Sequence, residues 1–329
     1  MKPLKEHYLR LLKKLILILE SQSIELIVVG GAVRDFLIDG KFSKDVDLEI
    51  SSVDRSKSVE EVFNLVFTSS KQCGYENVKR LPFNITQFTI DDYEFEISIG
   101  RLEKFIEKDL SHKNFDVEYC LDFDFDKKWR RRDITLNAIG LNLISGNIID
   151  PFCGIEDIQN KLIRYIDIDF FRDPVRLLRL LRFKVALEFM IDEQIYSNIK
   201  KFNMSQCSFY YLFKEGEKVG LSNFFNEFLD LNKQDDNFFN LLKFKEDHVT
   251  LIRFAELASF DNLRELVFKS VKLKAESVSD VIKDNGLFSQ KSYRKLRNFF
   301  NSSKTTRSER LKDISFIGDD FVEWAKNDC

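Results

Sequence analysis

Val28-Val29-Gly30-Gly31-Ala32-Val33-Arg34-Asp35, followed shortly by Lys44-Asp45-Val46-Asp47-Leu48, is the stretch on which the fold turns. The apolar run Ile24–Val29 ending in two glycines predicts a buried strand that enters a tight turn. Residues 32–38 suit a helix, and residues 45–50 predict a second strand. Two aspartates one residue apart on a strand project from the same face. Asp45 and Asp47 can then bridge one or two divalent ions, as phosphoryl transfer to a hydroxyl requires. The Gly-Gly turn lets backbone N–H groups approach a phosphate chain, and the helix that follows offers its positive end. A D-x-D pair alone is common on surface strands. The glycine turn upstream gives this pair its weight.

Outward from this stretch, Leu4, Tyr8, Leu11, Leu12, Leu15 and Leu19 recur at helical spacing over residues 4–20. Residues 57–67 read as another helix. Residues 85–90 and 93–99 read as a hairpin about Asp91-Asp92, and Ser145-Gly146-Asn147 marks a second turn between residues 139–143 and 148–149. After Asp150-Pro151 strand signals fade. Helical periodicity takes over at 154–161, 174–189, 192–202 and onward. The expected fold class is α+β: a mixed α/β domain over residues 1–150, a helical segment over 151–215 and a helical remainder over 216–329.

The bulk numbers agree. A chain of 329 residues exceeds the usual size of one core. With 44% apolar and 32% charged residues it has the composition of a globular protein, and 12 Gly and 4 Pro suit a helix-rich one. The formal charge of −3 does not announce a nucleic-acid binder, but backbone recognition needs only a local basic stripe. The five cysteines form no C-x-x-C pair, so neither a disulfide framework nor a zinc site is expected. No run approaches the roughly 18 apolar residues of a membrane span, and the charged N-terminus lacks the features of a secretory signal. A cytoplasmic location is expected.

Four segments in order resemble the class II tRNA nucleotidyltransferase and bacterial poly(A) polymerase family. The first is G-G-A-V-R-D with K-D-V-D-L. The second is Arg131-Arg132-Asp133-Ile134-Thr135-Leu136-Asn137-Ala138. The third is Asp150-Pro151-Phe152-Cys153-Gly154 with Asp157, and the fourth runs from Arg172-Asp173-Pro174 to Arg182-Phe183. The resemblance covers roughly residues 25–203. It implies a polymerase-β-like head followed by an all-helical neck, body and tail, and transfer of nucleotides from CTP and ATP to the 3′ end of tRNA with Mg²⁺. It assigns the metals to Asp45 and Asp47, triphosphate contacts to Gly31 and Arg34, and the bound nucleotide to Arg132. Asp173 and Arg176 would present acceptor and donor groups to the base edge, in place of a template, with Arg179 and Arg182 reaching base or phosphates. A third carboxylate is expected at Glu96, with Glu94 on the same strand face as its rival.

Some readings stay open. Arg172 stands where the family has Glu, which bears on nucleotide choice and not on metal chemistry. Asp173-Pro174 is also a good helix start in its own right. In Lys127-Lys128-Trp129-Arg130-Arg131-Arg132 the position of Arg132 favours phosphate contact, while Lys127 and Lys128 are expected at the surface. The basic stretch between Lys291 and Lys312 suits either an RNA backbone or an ordinary charged face. Segment 100–117 is long enough for a flexible loop. A poly(A) polymerase, a CC-adding or A-adding enzyme, and an inactive RNA-binding protein are the alternative functions; a lost Asp in D-x-D would mark the last, and both are present.

Overall fold

The computed structural model describes residues 1–202 apart from 53, 55 and 106–114, together with scattered positions between 211 and 231. The helices expected beyond residue 202 and the basic stretch near the C-terminus lie outside the described residues, apart from those scattered positions. In chain order the elements are α1 (Lys2–Glu20), β1 (Ile24–Val29), α2 (Gly31–Asp39), β2 (Asp45–Ser52), α3 (Val59–Gln72), β3 (Glu76–Leu81), β4 (Ile85–Ile90) and β5 (Tyr93–Ile99). They continue with β6 (Arg101–Phe105), β7 (Phe115–Tyr119), α4 (Phe125–Trp129), β8 (Gly140–Asn142), β9 (Ile148–Ile149), α5 (Gly154–Gln159), β10 (Leu162–Ile163), α6 (Pro174–Leu187), β11 (Met190–Ile191) and α7 (Glu193–Ser197). The chain divides into two compact units, residues 1–173 with 188–201, and residues 174–187 with 202–329.

The first unit is built on a seven-stranded sheet of order β3-β4-β5-β2-β1-β8-β9. Only β2 and β5 run parallel within it. β1 lies between β2 and β8, which explains its nearly unbroken burial. Its alternate residues serve opposite faces. Leu26 and Val28 join a large core with Leu4, Tyr8, Leu12 and Leu15 of α1, Val62 and Val66 of α3, and Val46, Leu48, Phe88, Phe95 and Ile97 of the sheet. Each such side chain, once buried, contributes about 1.5–3 kcal/mol relative to exposure. Ile27 and Val29 face the other way, where Trp129 and Ala138 cover them. The remainder of that second face, over β2, β5 and β4, carries Asp45, Asp47, Glu49, Glu94, Glu96 and Gln87, in register across the strands.

Local chemistry sets the element ends. Ser58 and Glu61 form a reciprocal capping box at the start of α3, and such a cap is worth about 1 kcal/mol. Asp150 accepts hydrogen bonds from the Gly154 and Ile155 amides and so starts α5. Three expectations need correction. The helix predicted over 192–202 is α7 followed by a separate 3₁₀ turn, Ile199–Lys201. Strand structure does not end at residue 150, because Leu162–Ile163 pairs in parallel with Met190–Ile191. The segment read as a loop begins and ends in paired strands, β6 with β7.

Candidate active site

Parallel pairing of β2 with β5 sets Asp45 opposite Glu94 and Asp47 opposite Glu96. Asp45 and Asp47 are exposed, whereas the residues between and beyond them, Val46 and Leu48, are buried in the core. The aspartates therefore share the open face of the sheet, as the spacing requires. Glu96 is half-buried, and burial together with the neighbouring charge of Asp47 raises its carboxyl above the usual range. Gln87 Nε2 donates to Oε1 of Glu96 at 2.7 Å and to Oε1 of Glu94 at 2.9 Å. The donor set is all oxygen and suits a hard divalent cation. Among the described residues, no three His, Cys, Asp or Glu side chains are gathered into a ready-made cage.

The glycine turn lies beside these carboxylates. Gly30 has φ 72° and ψ −128°, a conformation that side-chain-bearing residues avoid. A Cβ there would stand 3.2 Å from Nη1 of Arg132 and 4.0 Å from Oδ2 of Asp47. One atom's worth of space thus separates the turn, the second-motif arginine and the Asp47 strand. Gly31 begins α2, and a Cβ on it would make only ordinary contact, 3.7 Å from Arg34 Nη2. Sequence reading named Gly31; the stricter steric demand falls on Gly30, and only the backbone conformation reveals it. No side chain caps α2, so the first amides of this nine-residue helix lack an internal partner.

Arg34 is held on two sides. Its Nε donates to Asp35 at 2.8 Å and its Nη1 to Asn137 Oδ1. Asn137 donates in turn to Asp133 Oδ1 at 2.9 Å. Arg132 donates from Nη1 to the Asn137 carbonyl at 3.0 Å, and its buried Nε has no hydrogen-bond partner among the described residues. The first and second motifs therefore meet through Asn137. The third motif braces the second from behind. Asp157 accepts from Thr135 Oγ1 at 2.5 Å and pairs with Arg164 at 2.7 Å. A Cβ on Gly154 would lie 2.4 Å from the Thr135 carbonyl oxygen.

The basic run divides differently from expectation. Lys127 is exposed, as predicted, and it pairs with Asp124. Lys128 is fully buried, a correction to its expected surface position. It donates to Ser51 Oγ at 3.1 Å and the Asp122 carbonyl at 2.6 Å, and its Nζ lies 3.1 Å from Oε1 of buried Glu49. Trp129 Nε1 donates to the other Glu49 oxygen at 3.1 Å. Sequence reading missed Glu49, although the third acid in D-V-D-L-E shares the face of the first two. Arg131 is largely enclosed, and burial beside Arg132 and Arg101 pushes its guanidinium down to about 10.

Residues 26–164 match the family model described as the poly A polymerase head domain. Over these residues the chain is similar to that head domain. Over 160 residues the chain is 34% identical to the multifunctional CCA protein of Psychromonas ingrahamii, covering 48% of this chain and 34% of that protein. A CCA-adding enzyme of Francisella tularensis is 29% identical over 177 residues, which are 53% of this chain and 44% of the relative. The matched length is thus under half of either curated relative. Among solved structures, a tRNA nucleotidyltransferase complexed with a primer tRNA and an incoming ATP analog superposes with TM-score 0.56 at 19% identity, over 95% of this chain and 96% of that one. An apo CCA-adding enzyme gives TM-score 0.63 at 18% identity, over 97% of this chain and 78% of that one. The resemblance read from the motifs and the α+β fold class both hold.

The fourth motif follows the matched residues 26–164. Asp173 ends a 3₁₀ turn, Ile168–Arg172, and Pro174 opens α6. Arg172 forms an ion pair with Asp169 at 2.6 Å. On α6, within the second unit, Arg176 is buried, and Arg182 is paired with Glu215 at 2.6 Å and stacked on Phe183. Arg179 is partly buried on the same helix. No helix among the described residues is long and apolar enough to cross a membrane.

Proposed function

We propose that this protein is a template-independent nucleotidyltransferase that adds CCA to the 3′ end of tRNA from CTP and ATP, with Mg²⁺ as its metal. The observation that carries the reading is the convergence of Asp47, Gly30 and Arg132 on one point, with Asp45 on the same strand face and Glu96 in register. The head-domain match and the likeness to CCA-adding enzymes support it.

In this reading Asp45 and Asp47 would hold the cations, with Glu96 as a third carboxylate. When bound, the metal lowers the pKa of the 3′-hydroxyl and offsets charge on the departing pyrophosphate. The hydroxyl attacks the α-phosphate in line, an O–P bond forms, and the bond to pyrophosphate breaks. The open amides at the start of α2, near Gly31, receive the triphosphate. Arg34, fixed by Asp35 and Asn137, and Arg132, fixed by the Asn137 carbonyl, orient it without having to be ordered at the moment of reaction. Asp173 and Arg176 read the base edge, since cytosine and adenine each pair an amino donor with a ring-nitrogen acceptor. Arg179 and Arg182 assist on base or phosphate, the latter by exchanging its Glu215 partner. The head domain spans residues 1–150, the base-reading neck 151–215 and the RNA-binding body and tail 216–329. The cytoplasm, where tRNA is matured, is the compartment this implies.

A poly(A) polymerase, or an enzyme adding only CC or only A, is the second reading. Arg172, engaged with Asp169 where the family has Glu, favours an altered nucleotide choice. Incubation with Mg²⁺ and tRNAs ending in the discriminator base, C or CC, against CTP, ATP or both, decides between them by product mass. Completion to CCA supports the first reading. Long A tails on unstructured RNA select the second. No incorporation in any arm, indistinguishable from Asp45→Ala, refutes both.

A further inference from the structure

We infer that Gln87 is a positioning residue for the acidic site, one that fixes the carboxylates of Glu96 and Glu94 without neutralising them. The inference rests on the metal-site reading given above. Gln87 is buried on β4 and lies directly opposite Glu96 across the β4–β5 pair, just as Glu96 lies opposite Asp47 across β5–β2. Asp45 and Glu94 form the adjacent rung. Four carboxylates thus occupy two neighbouring rungs of one sheet face, an arrangement that drives like charges apart until a cation arrives.

The choice of an amide answers that problem. A lysine or arginine in the place of Gln87 would form an ion pair with Glu96 and compete with any incoming cation. A hydrocarbon of the same length would leave both glutamates free to turn toward water. The Gln87 amide nitrogen carries two hydrogens, and it spends one on each glutamate, at 2.7 and 2.9 Å. Carboxylates only accept, so the nitrogen is the end of the amide that faces them. In both cases the acceptor is Oε1, and Oε2 of each glutamate has no hydrogen-bond donor among the described residues. Glu96 is therefore not engaged in an ion pair by this neighbour, and it keeps one oxygen that Gln87 does not occupy. The one cation along this row is Lys79, opposite Gln87 on β3, and it is exposed at the far side of the amide.

Gln87→Met, which keeps length and bulk but donates nothing, isolates the role. Binding of Mn²⁺ to the full-length protein without nucleotide, followed by calorimetry or by loss of the free-ion paramagnetic signal, should weaken about tenfold or more, the range seen when ligand-orienting neighbours of a metal site are removed. The unfolding midpoint serves as the control for packing. In turnover, the Mg²⁺ concentration for half-maximal rate should rise by a similar factor, with kcat recovered at saturating Mg²⁺ and the KM for nucleotide within about twofold of the unsubstituted value. Gln87→Lys should weaken Mn²⁺ as well, because it supplies donors but cancels charge. Unchanged Mn²⁺ affinity in Gln87→Met overturns the assignment, since a merely space-filling glutamine is replaced well by methionine. No Mn²⁺ binding by the unsubstituted protein overturns it together with the metal site. If that protein binds Mn²⁺ yet adds no nucleotide to any RNA, the proposed reaction fails alone, and the Mn²⁺ comparison still decides the role of Gln87.

Discussion

Lys128→Met removes one half of an ion pair that has no access to water. Both Lys128 and Glu49 are fully buried. The Nζ to Oε1 contact of 3.1 Å is electrostatic rather than an aligned hydrogen bond, for Oε1 has no hydrogen-bond partner, and Lys128 gives its hydrogen bonds to Ser51 and the Asp122 carbonyl. Without the ammonium, Glu49 retains only the Trp129 indole N–H. Leaving one charge of a buried pair unmatched costs about 3–5 kcal/mol. That is a large share of the roughly 5–15 kcal/mol that stabilises a typical domain. Glu49→Gln with Lys128→Met removes both charges while an amide oxygen still accepts from Trp129. This double variant should recover about 2 kcal/mol relative to the sum of the single costs, a coupling typical of directly interacting groups. Urea unfolding, followed by Trp129 fluorescence in a Trp324→Phe background, gives the four corners of the cycle, with matched slopes as the control on the denatured state. A Lys128→Met cost below about 1 kcal/mol, or strict additivity, would refute the argument, because surface-like substitutions behave that way. The cycle has a functional echo. Arg132 lies over the Trp129 ring at 5.6 Å and its amide bonds the Trp129 carbonyl, so the single variant should also raise the KM for nucleotide.

Other substitutions probe neighbouring parts of the site. Gly30→Ala places a methyl group on a backbone at φ 72°, against Arg132 and Asp47; it should cost about 1–3 kcal/mol in strain and depress kcat/KM well beyond its effect on the unfolding midpoint. Gly154→Ala drives a Cβ to 2.4 Å from the Thr135 carbonyl, and its overpacking cost of about 1–3 kcal/mol should exceed the gain in helix propensity, a balance read from the same denaturation assay. Glu96 takes up a proton at higher pH than an ordinary glutamate, because burial and Asp47 raise its pKa. Protonation competes with cation binding, so Mg²⁺ affinity should be full above the raised value and fall as pH drops through it. In Glu96→Gln that limb of a Mg²⁺ titration against pH should vanish. The stability sign is opposite: with the folded-state pKa above the unfolded one, the metal-free protein gains stability as pH falls through the raised value.

The strand–turn–helix at residues 24–38, the D-x-D strand and the 85–99 hairpin were legible because each depends on local chemistry. A β-branched run, a glycine pair and a two-residue alternation carry their geometry with them. The strand pairing of β10 with β11 was not legible, because two residues of pairing leave no periodicity. Nor was the burial of Lys128. A lysine in a basic run is usually solvated, and only Glu49, 79 positions earlier in the chain, makes the interior tolerable for it.

The sequence alone thus determined that two aspartates share a strand face beside a phosphate-sized turn, since alternation on a strand is fixed by covalent geometry. Tertiary structure alone decided which other groups face them: Glu96 by parallel register, Gln87 by the next strand, and Arg132 by a glycine that leaves room for it. Those neighbours are set by how strands far apart in the chain align, and a one-residue slip would turn every one of them to the opposite face.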